Sequence, residues 1–162
     1  KKVYNKFINA WRTSYLSFYD RTGKILGDEN LDGQANSTSC DHLINGDTTA
    51  TPPYYGLKSV GLTPPTTNAG NDCTYRYSDS EGGQHDVTIT FDYNTNDKTN
   101  ILVINNIPNE LGMAIDSIVD GEADGKNGDF LAYAAGSTTY TPTVDWGTTP
   151  TDEVTAAWKM EF

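Results

Sequence analysis

The feature that most constrains the fold is an amphipathic stretch at the start of the chain, residues 1–26. Apolar side chains recur there every three or four residues, the spacing that places them on one stripe of an α-helix. Lysine, asparagine and arginine side chains fall mostly on the opposite side, and the first glycine, Gly23, fits a C-terminal stop. The pattern predicts one long helix over residues 1–26. Its stripe comprises Val3, Phe7, Ala10, Trp11 and Phe18.

No capping residue precedes this helical pattern, which is already established at residue 1. A helix that begins in this way is typical of a longer helix that has been cut. We therefore expect the chain to be part of a longer protein, with further helix upstream of Lys1.

Length and charge restrict the class of protein. A chain of 162 residues is long enough for a single domain over residues 1–162 to bury a core. Its net charge of −11 and pI near 4.3 disfavour nucleic acid and anionic lipid as partners and favour cations. The part after residue 27 is rich in Gly, Asn, Asp, Thr, Ser and Tyr, which is typical of extracellular proteins.

The chain has two cysteines, Cys40 and Cys73, in polar and turn-rich surroundings. Neither belongs to a C-x-x-C pair, and His42 alone gives too few further ligands for zinc. We predict a disulfide between them, which indicates the periplasm or the cell exterior. Closing a loop of this size would stabilise the fold by roughly 3–4 kcal/mol. Two unpaired thiols are the alternative.

Two further segments are distinguished by their patterns. Residues 27–72 are predicted as an irregular loop region, because turn-formers and two Pro-Pro pairs fill them apart from a short turn around Tyr55 to Leu62. Residues 73–162 change to the period of two that is typical of strands, with a short helix near 108–119. The predicted fold class is α+β, a long N-terminal amphipathic helix packed on an antiparallel sheet. The predicted strands lie near residues 73–77, 87–91, 101–104, 130–133 and 154–160.

Two acidic loops resemble calcium-binding sequences. Residues 28–33, DENLDG, match the opening of an EF-hand loop, and residues 120–125, DGEADG, come close. The twelfth positions, Ser39 and Leu131, lack the required carboxylate, and we expect no pair of helices to flank either loop. We therefore predict no EF-hand. A less regular calcium site is a candidate in the second loop, with a solvated acidic turn as the simpler alternative. The candidate ligands of this calcium site are Asp120, Glu122, Asp124 and Asp129.

Catalytic patterns are sparse. The two histidines, His42 and His85, lie in segments that are predicted as loops, and neither belongs to a nucleophile motif. Carboxylates are abundant, but an acidic chain brings pairs of them together by chance. We therefore expect no enzyme.

Three segments carry a resemblance to a known family. They are FYDRTGKILGD at the end of the predicted helix, IPNELGMAIDSIVDGEADGKNGDF at residues 107–130, and the C-terminal AAWKMEF. In these segments the chain resembles the periplasmic part of a type IV pilin-like protein, either a pilin, a minor pilin or a type II secretion pseudopilin.

The resemblance implies a structural subunit rather than an enzyme. Its upstream apolar helix would anchor it in the inner membrane and then pack in the core of a filament of like or related pilin subunits, at the cell surface or in the periplasm. Val3, Phe7, Trp11 and Phe18 would then divide between the sheet and neighbouring subunits, most of them covering the sheet. Some pseudopilins hold calcium in a C-terminal loop, which favours the Asp120 site. The alternative function is an extracellular calcium-dependent binding or adhesion module.

Overall fold

The computed structural model describes residues 2–36, 39–70 and 72–162, and its first element is the predicted N-terminal helix. A π-helical segment, Tyr4–Ile8, continues into α1, Asn9–Thr22. The helix ends at Gly23, which adopts a left-handed backbone (φ 70°) and donates its amide to the carbonyl of Tyr19 at 2.7 Å. The predicted stop at Gly23 is therefore correct, while residues 24–26, included in the predicted helix, lie beyond it.

The second half of the chain forms a five-stranded antiparallel sheet. The first three strands are consecutive neighbours, as a meander requires, and the last strand inserts between the third and the fourth, giving the order β1-β2-β3-β5-β4. A bulge interrupts the pairing of β3 with β5 between Ile104 and Ile107, and Asn106 there has φ 59°. The strands are β1 (Thr74–Ser78), β2 (Gln84–Asn94), β3 (Thr99–Pro108), β4 (Phe130–Tyr133) and β5 (Glu153–Lys159).

Two more helices complete the fold. α3, Asn109–Asp120, follows β3 directly and ends at the left-handed Gly121, in agreement with the helix predicted near 108–119. α2, Cys40–Asn45, and a 3₁₀ turn, Lys58–Val60, lie in the region predicted as irregular. Ser39 caps α2 by accepting the amide of His42 at 3.3 Å. The prediction of an irregular region is therefore wrong at α2.

The disulfide between Cys40 and Cys73 is present, as predicted. It joins the first residue of α2 to the residue before β1 across 33 positions of sequence. A backbone bridge between Asp47 and Tyr54 further orders the segment that the disulfide encloses. The long connection between helix and sheet is thus held by one covalent and several local bonds.

The main core lies between the N-terminal helix and one face of the sheet. A smaller cluster, which includes Val103, Leu131 and Tyr133, lies separately from it. The chain is therefore an α+β protein, with an N-terminal helix of 19 residues (Tyr4 to Thr22) and an antiparallel sheet.

Candidate functional site

The helix stripe is buried in the core. Val3, Phe7, Trp11 and Phe18 each expose 5% or less of their surface. The Phe7 ring lies 5.4 Å from that of Tyr75 on β1, and the Trp11 ring lies 6.2 Å from that of Phe91 on β2. Aromatic pairs at these distances contribute beyond the area they bury. The chain's own sheet therefore occupies this stripe.

The opposite face of the same helix is polar and open. Lys2, Asn5, Lys6, Thr13 and Asp20 are exposed. The helix therefore has one face covered by the sheet and one face open to solvent.

The C-terminal residues pack against one side of the N-terminal helix. Phe162 stacks on Tyr19 with ring centroids 3.9 Å apart, and its carbonyl accepts the hydroxyl of Tyr15. Arg12 lies 5.1 Å above the Trp158 ring and pairs with Glu161 at 3.1 Å. The two ends of the described chain are thereby packed side by side.

The predicted calcium loop is folded by its own carboxylates. Asp120 accepts the backbone amides of Asp129 and Phe130, at 3.0 and 2.9 Å. Asp124 accepts the Asn127 side-chain amide at 2.7 Å and the amide of Lys126 at 3.0 Å, and the Asn127 bond leads the interactions that lower the pKa of Asp124. These bonds order the loop, and each carboxylate oxygen keeps a second lone pair.

The same loop closes over a buried carboxylate that sequence reasoning missed. Asp116 is fully buried one helical turn before Asp120, and the indole N–H of Trp146 donates to its Oδ2 at 2.9 Å. Burial and then the neighbouring Asp120 raise the pKa of Asp116 to about 6, against the lowering effect of the Trp146 bond. The i, i+4 spacing of the two aspartates was the available signal.

The first acidic loop is more ordered than expected. Asp28 is buried and accepts the amides of Asp32 and Gly33, at 3.2 and 2.7 Å, and burial raises its pKa. Gly33, at the sixth position, is left-handed (φ 86°), where an EF-hand loop needs glycine for its sharp turn. α2 begins directly after the twelfth position, Ser39, whereas α1 ends at Thr22, and five residues separate it from Asp28. A helix therefore adjoins the loop on the downstream side alone, in agreement with the expectation that no pair of helices flanks it.

Neither acidic loop forms a complete metal cage. Within residues 2–36, 39–70 and 72–162, no three His, Cys, Asp or Glu side chains are arranged to hold a metal ion. Calcium at Asp120, Glu122, Asp124 and Asp129 stays a prediction.

Both histidines contact carboxylates. The prediction that both lie in loops is wrong. His42 belongs to α2, and its Nδ1 lies 2.6 Å from Glu29. His85 belongs to β2, and its two ring nitrogens lie 2.6 Å from Asp79 and Glu153. Asp79 and Glu153 lie 6 and 68 positions from His85 in the sequence, and the sequence patterns revealed neither contact.

An apolar pocket of about 150 Å³ lies beside the end of α1. Its lining includes Phe18, Ile25, Leu31, Tyr54 and Tyr55. Leu31 and Tyr55 remain substantially exposed at its rim. The pocket offers contact mainly with apolar groups, and Lys24 adds one charged side chain to its lining.

Comparison with protein-family models, with curated proteins and with solved structures finds no match for this chain. Among the described residues, no helix combines the length and apolar character needed to cross a membrane.

Proposed function

We propose that this chain is the globular part of a structural subunit of a type IV pilus or a type II secretion pseudopilus. In this proposal the subunit polymerises through its N-terminal helix, which continues upstream of Lys1 as an apolar segment. That segment anchors the subunit in the inner membrane before assembly and packs in the filament core afterwards. The assembled protein faces the periplasm or the cell exterior.

The observation that carries the proposal is the division of the N-terminal helix into two faces. Phe7 and Trp11 are buried against the sheet, so the helix is packed on the sheet along this face. The polar face around Lys6 and Thr13 stays exposed along the helix. A helix fixed to its own sheet on one face can present the other to neighbouring subunits in a regular array.

Two further observations support the proposal. The disulfide between Cys40 and Cys73 fits the oxidising compartment in which such filaments assemble. The segments FYDRTGKILGD and IPNELGMAIDSIVDGEADGKNGDF, which carry the resemblance, lie at the end of the helix and over α3 with its following loop.

Cysteine cross-linking tests this assignment. The variants Asn5→Cys and Thr13→Cys would each be made in the full-length protein. They would be expressed in the organism that encodes it and then oxidised. We expect covalent dimers, because each variant adds one thiol to a chain whose two natural cysteines are already paired. Glu81→Cys, on the exposed β1–β2 turn, is the matched control for collision between free subunits. Monomers alone at positions 5 and 13 would contradict the proposal.

A calcium-dependent binding or adhesion module is the second candidate, favoured by the folded Asp28 loop. Its buried carboxylate and left-handed Gly33 match the opening of an EF-hand loop. This candidate predicts that calcium raises the melting temperature over that in EDTA. Asp32→Ala would abolish that rise if the cation occupies the first loop, and Asp124→Ala if it occupies the second. Equal melting temperatures in calcium and EDTA would eliminate this candidate.

A further inference from the structure

His85 makes two contacts that a neutral imidazole cannot satisfy together. Its Nε2 lies 2.6 Å from the Oδ2 of Asp79, and its Nδ1 lies 2.6 Å from the Oε2 of Glu153. A neutral ring carries one N–H and one lone pair, so one nitrogen would face a carboxylate without a proton between them. The imidazolium supplies both donors and forms two charge-assisted hydrogen bonds.

The contacts join parts of the chain that the sheet does not pair directly. Asp79 follows β1 in the β1–β2 turn, and Glu153 is the first residue of β5. β3 lies between β2 and β5 in the sheet, so the side chains reach across it. We propose that Asp79, His85 and Glu153 form a pH-operated clasp, the His85 clasp, which fastens the β1–β2 turn to the start of β5.

The groups around the His85 clasp are mostly acidic. Tyr77 pairs with His85 across β1 and β2, and its hydroxyl donates to Glu110 of α3 at 3.2 Å. Glu110 also accepts the amide and hydroxyl of Ser80 in the turn. On β2 the neighbouring Asp86 is engaged with Arg76 of β1 at 3.1 Å.

Three other elements complete these surroundings. The turn also carries the exposed Glu81, whose backbone amide donates to Asp79. Residues 105–108 of β3 lie between β2 and β5, and none of them has a titratable side chain. The residues before β5 contribute the exposed Asp152, whose carbonyl accepts the amide of Asn109. The positive ring therefore meets negative charge from the turn, through Asp79, and from β5, through Glu153, while Glu110 of α3 is engaged with Tyr77 and Ser80.

The direction of the switch follows from these contacts. Burial lowers the pKa of His85, but the hydrogen bonds to Glu153 and Asp79 outweigh it and raise the pKa above its ordinary value. The His85 clasp is therefore closed below the ordinary histidine value near 6.5 and opens as the pH rises through the raised pKa.

The contact between His85 and Glu153 is the one that breaks when His85 loses its proton. The side chain of Asp79 is 4% exposed and is also held by the amides of Glu81 and Gly83. The side chain of Glu153 is 41% exposed. Loss of the proton from His85 therefore frees β5 from the turn while the turn keeps its own fold.

Nuclear magnetic resonance on the folded chain tests the inference. We expect both ring nitrogens of His85 to be protonated at pH 6 and to titrate above the ordinary histidine value near 6.5. Hydrogen exchange at Val154, corrected for intrinsic rates, should show an opening constant that grows roughly tenfold between pH 6 and pH 9. Gly83, whose amide donates to Asp79 within the turn, is the internal reference and should not change. Titration of His85 at or below its ordinary value would overturn the inference without any variant.

Two substitutions sharpen the result. His85→Gln should remove the pH dependence of opening, and His42→Gln, which alters the other histidine with a carboxylate neighbour, should retain it. If the tenfold rise persists in His85→Gln, the His85 clasp is not its cause and the inference fails. If His85→Gln does not fold, the titration of the unaltered chain decides alone.

Discussion

Trp146 donates its indole N–H to the Oδ2 of Asp116 at 2.9 Å, whereas the Oδ1 of Asp116 has no hydrogen-bond partner in the described part of the chain. Burial raises the pKa of Asp116 from 3.8 to about 6, and the neighbouring Asp120 adds to this effect. A buried carboxylate with one unsatisfied oxygen destabilises the fold at neutral pH.

Asp116→Asn should therefore stabilise the protein. The new amide can donate to Asp120 while its oxygen accepts from Trp146, so the gain at pH 7 should be about 1–2 kcal/mol. Urea unfolding measures it. Asp129→Asn, on the exposed part of the loop, is the matched control and should change stability by less than about 0.5 kcal/mol.

The same pair predicts a pH dependence. Because the folded pKa of Asp116 is raised, the native state binds more protons than the unfolded state between pH 3.8 and about 6. The contribution of this group to stability should fall as the pH rises through that window. The difference in unfolding free energy between Asp116→Asn and the unaltered chain should therefore grow from pH 4 to pH 7. A constant difference would contradict the pKa assignment.

Removing the disulfide should destabilise the protein, in contrast to replacing Asp116. The bond between Cys40 and Cys73 closes a loop of 33 positions, so the double change Cys40→Ala, Cys73→Ala should lower the unfolding free energy by about 3–4 kcal/mol. Reduction of the unaltered chain with dithiothreitol should give the same loss by urea unfolding. Unchanged stability after verified reduction would show that the loop is ordered without the bond.

Packing of the helix on the sheet predicts a contrast between adjacent residues. Phe7 is fully buried against Tyr75, so Phe7→Ala should cost about 3–5 kcal/mol. Lys6 is exposed, and Lys6→Ala should change stability by less than about 0.5 kcal/mol. Thermal unfolding of the two variants side by side checks the contrast. Similar losses would mean that the stripe faces elsewhere.

The His85 clasp predicts a pH dependence of global stability in the opposite sense to an ordinary acidic group. A histidine whose folded pKa is raised contributes its full stabilisation below the unfolded value near 6.5, and the contribution disappears as the pH rises through the folded value. His85→Gln should therefore cost about 1–2 kcal/mol at pH 5.5 and little at pH 9. Urea unfolding at both values measures the difference. An equal cost at both values would assign His85 a packing role alone.

Periodic segments could be predicted from the sequence, because their signal is local. The stripe of Phe7, Trp11 and Phe18 repeats with the helical period, and Val87, Ile89 and Phe91 alternate as a half-buried strand does. α2 could not be predicted in the same way. It has only six residues, and its order depends on the cap at Ser39 and the distant bond to Cys73.

The side-chain clusters depend on the order of the strands, which local patterns do not encode. β5 pairs with β3, about 50 positions earlier in the chain, and only that pairing brings Glu153 towards His85. Asp116 was counted as part of a helical segment, but its burial depends on Trp146, 30 positions later. Local patterns therefore gave the elements, whereas the polar core contacts required the structure.

The central proposal is tested most directly by immunogold electron microscopy of surface filaments sheared from the cells that encode this protein. Antibodies raised against residues 1–162 would be used, with a strain lacking the gene as control. The proposal predicts gold labelling along the length of filaments that are absent or unlabelled in the control strain. Filaments that stay unlabelled, together with recovery of the protein only as free monomer, would contradict it.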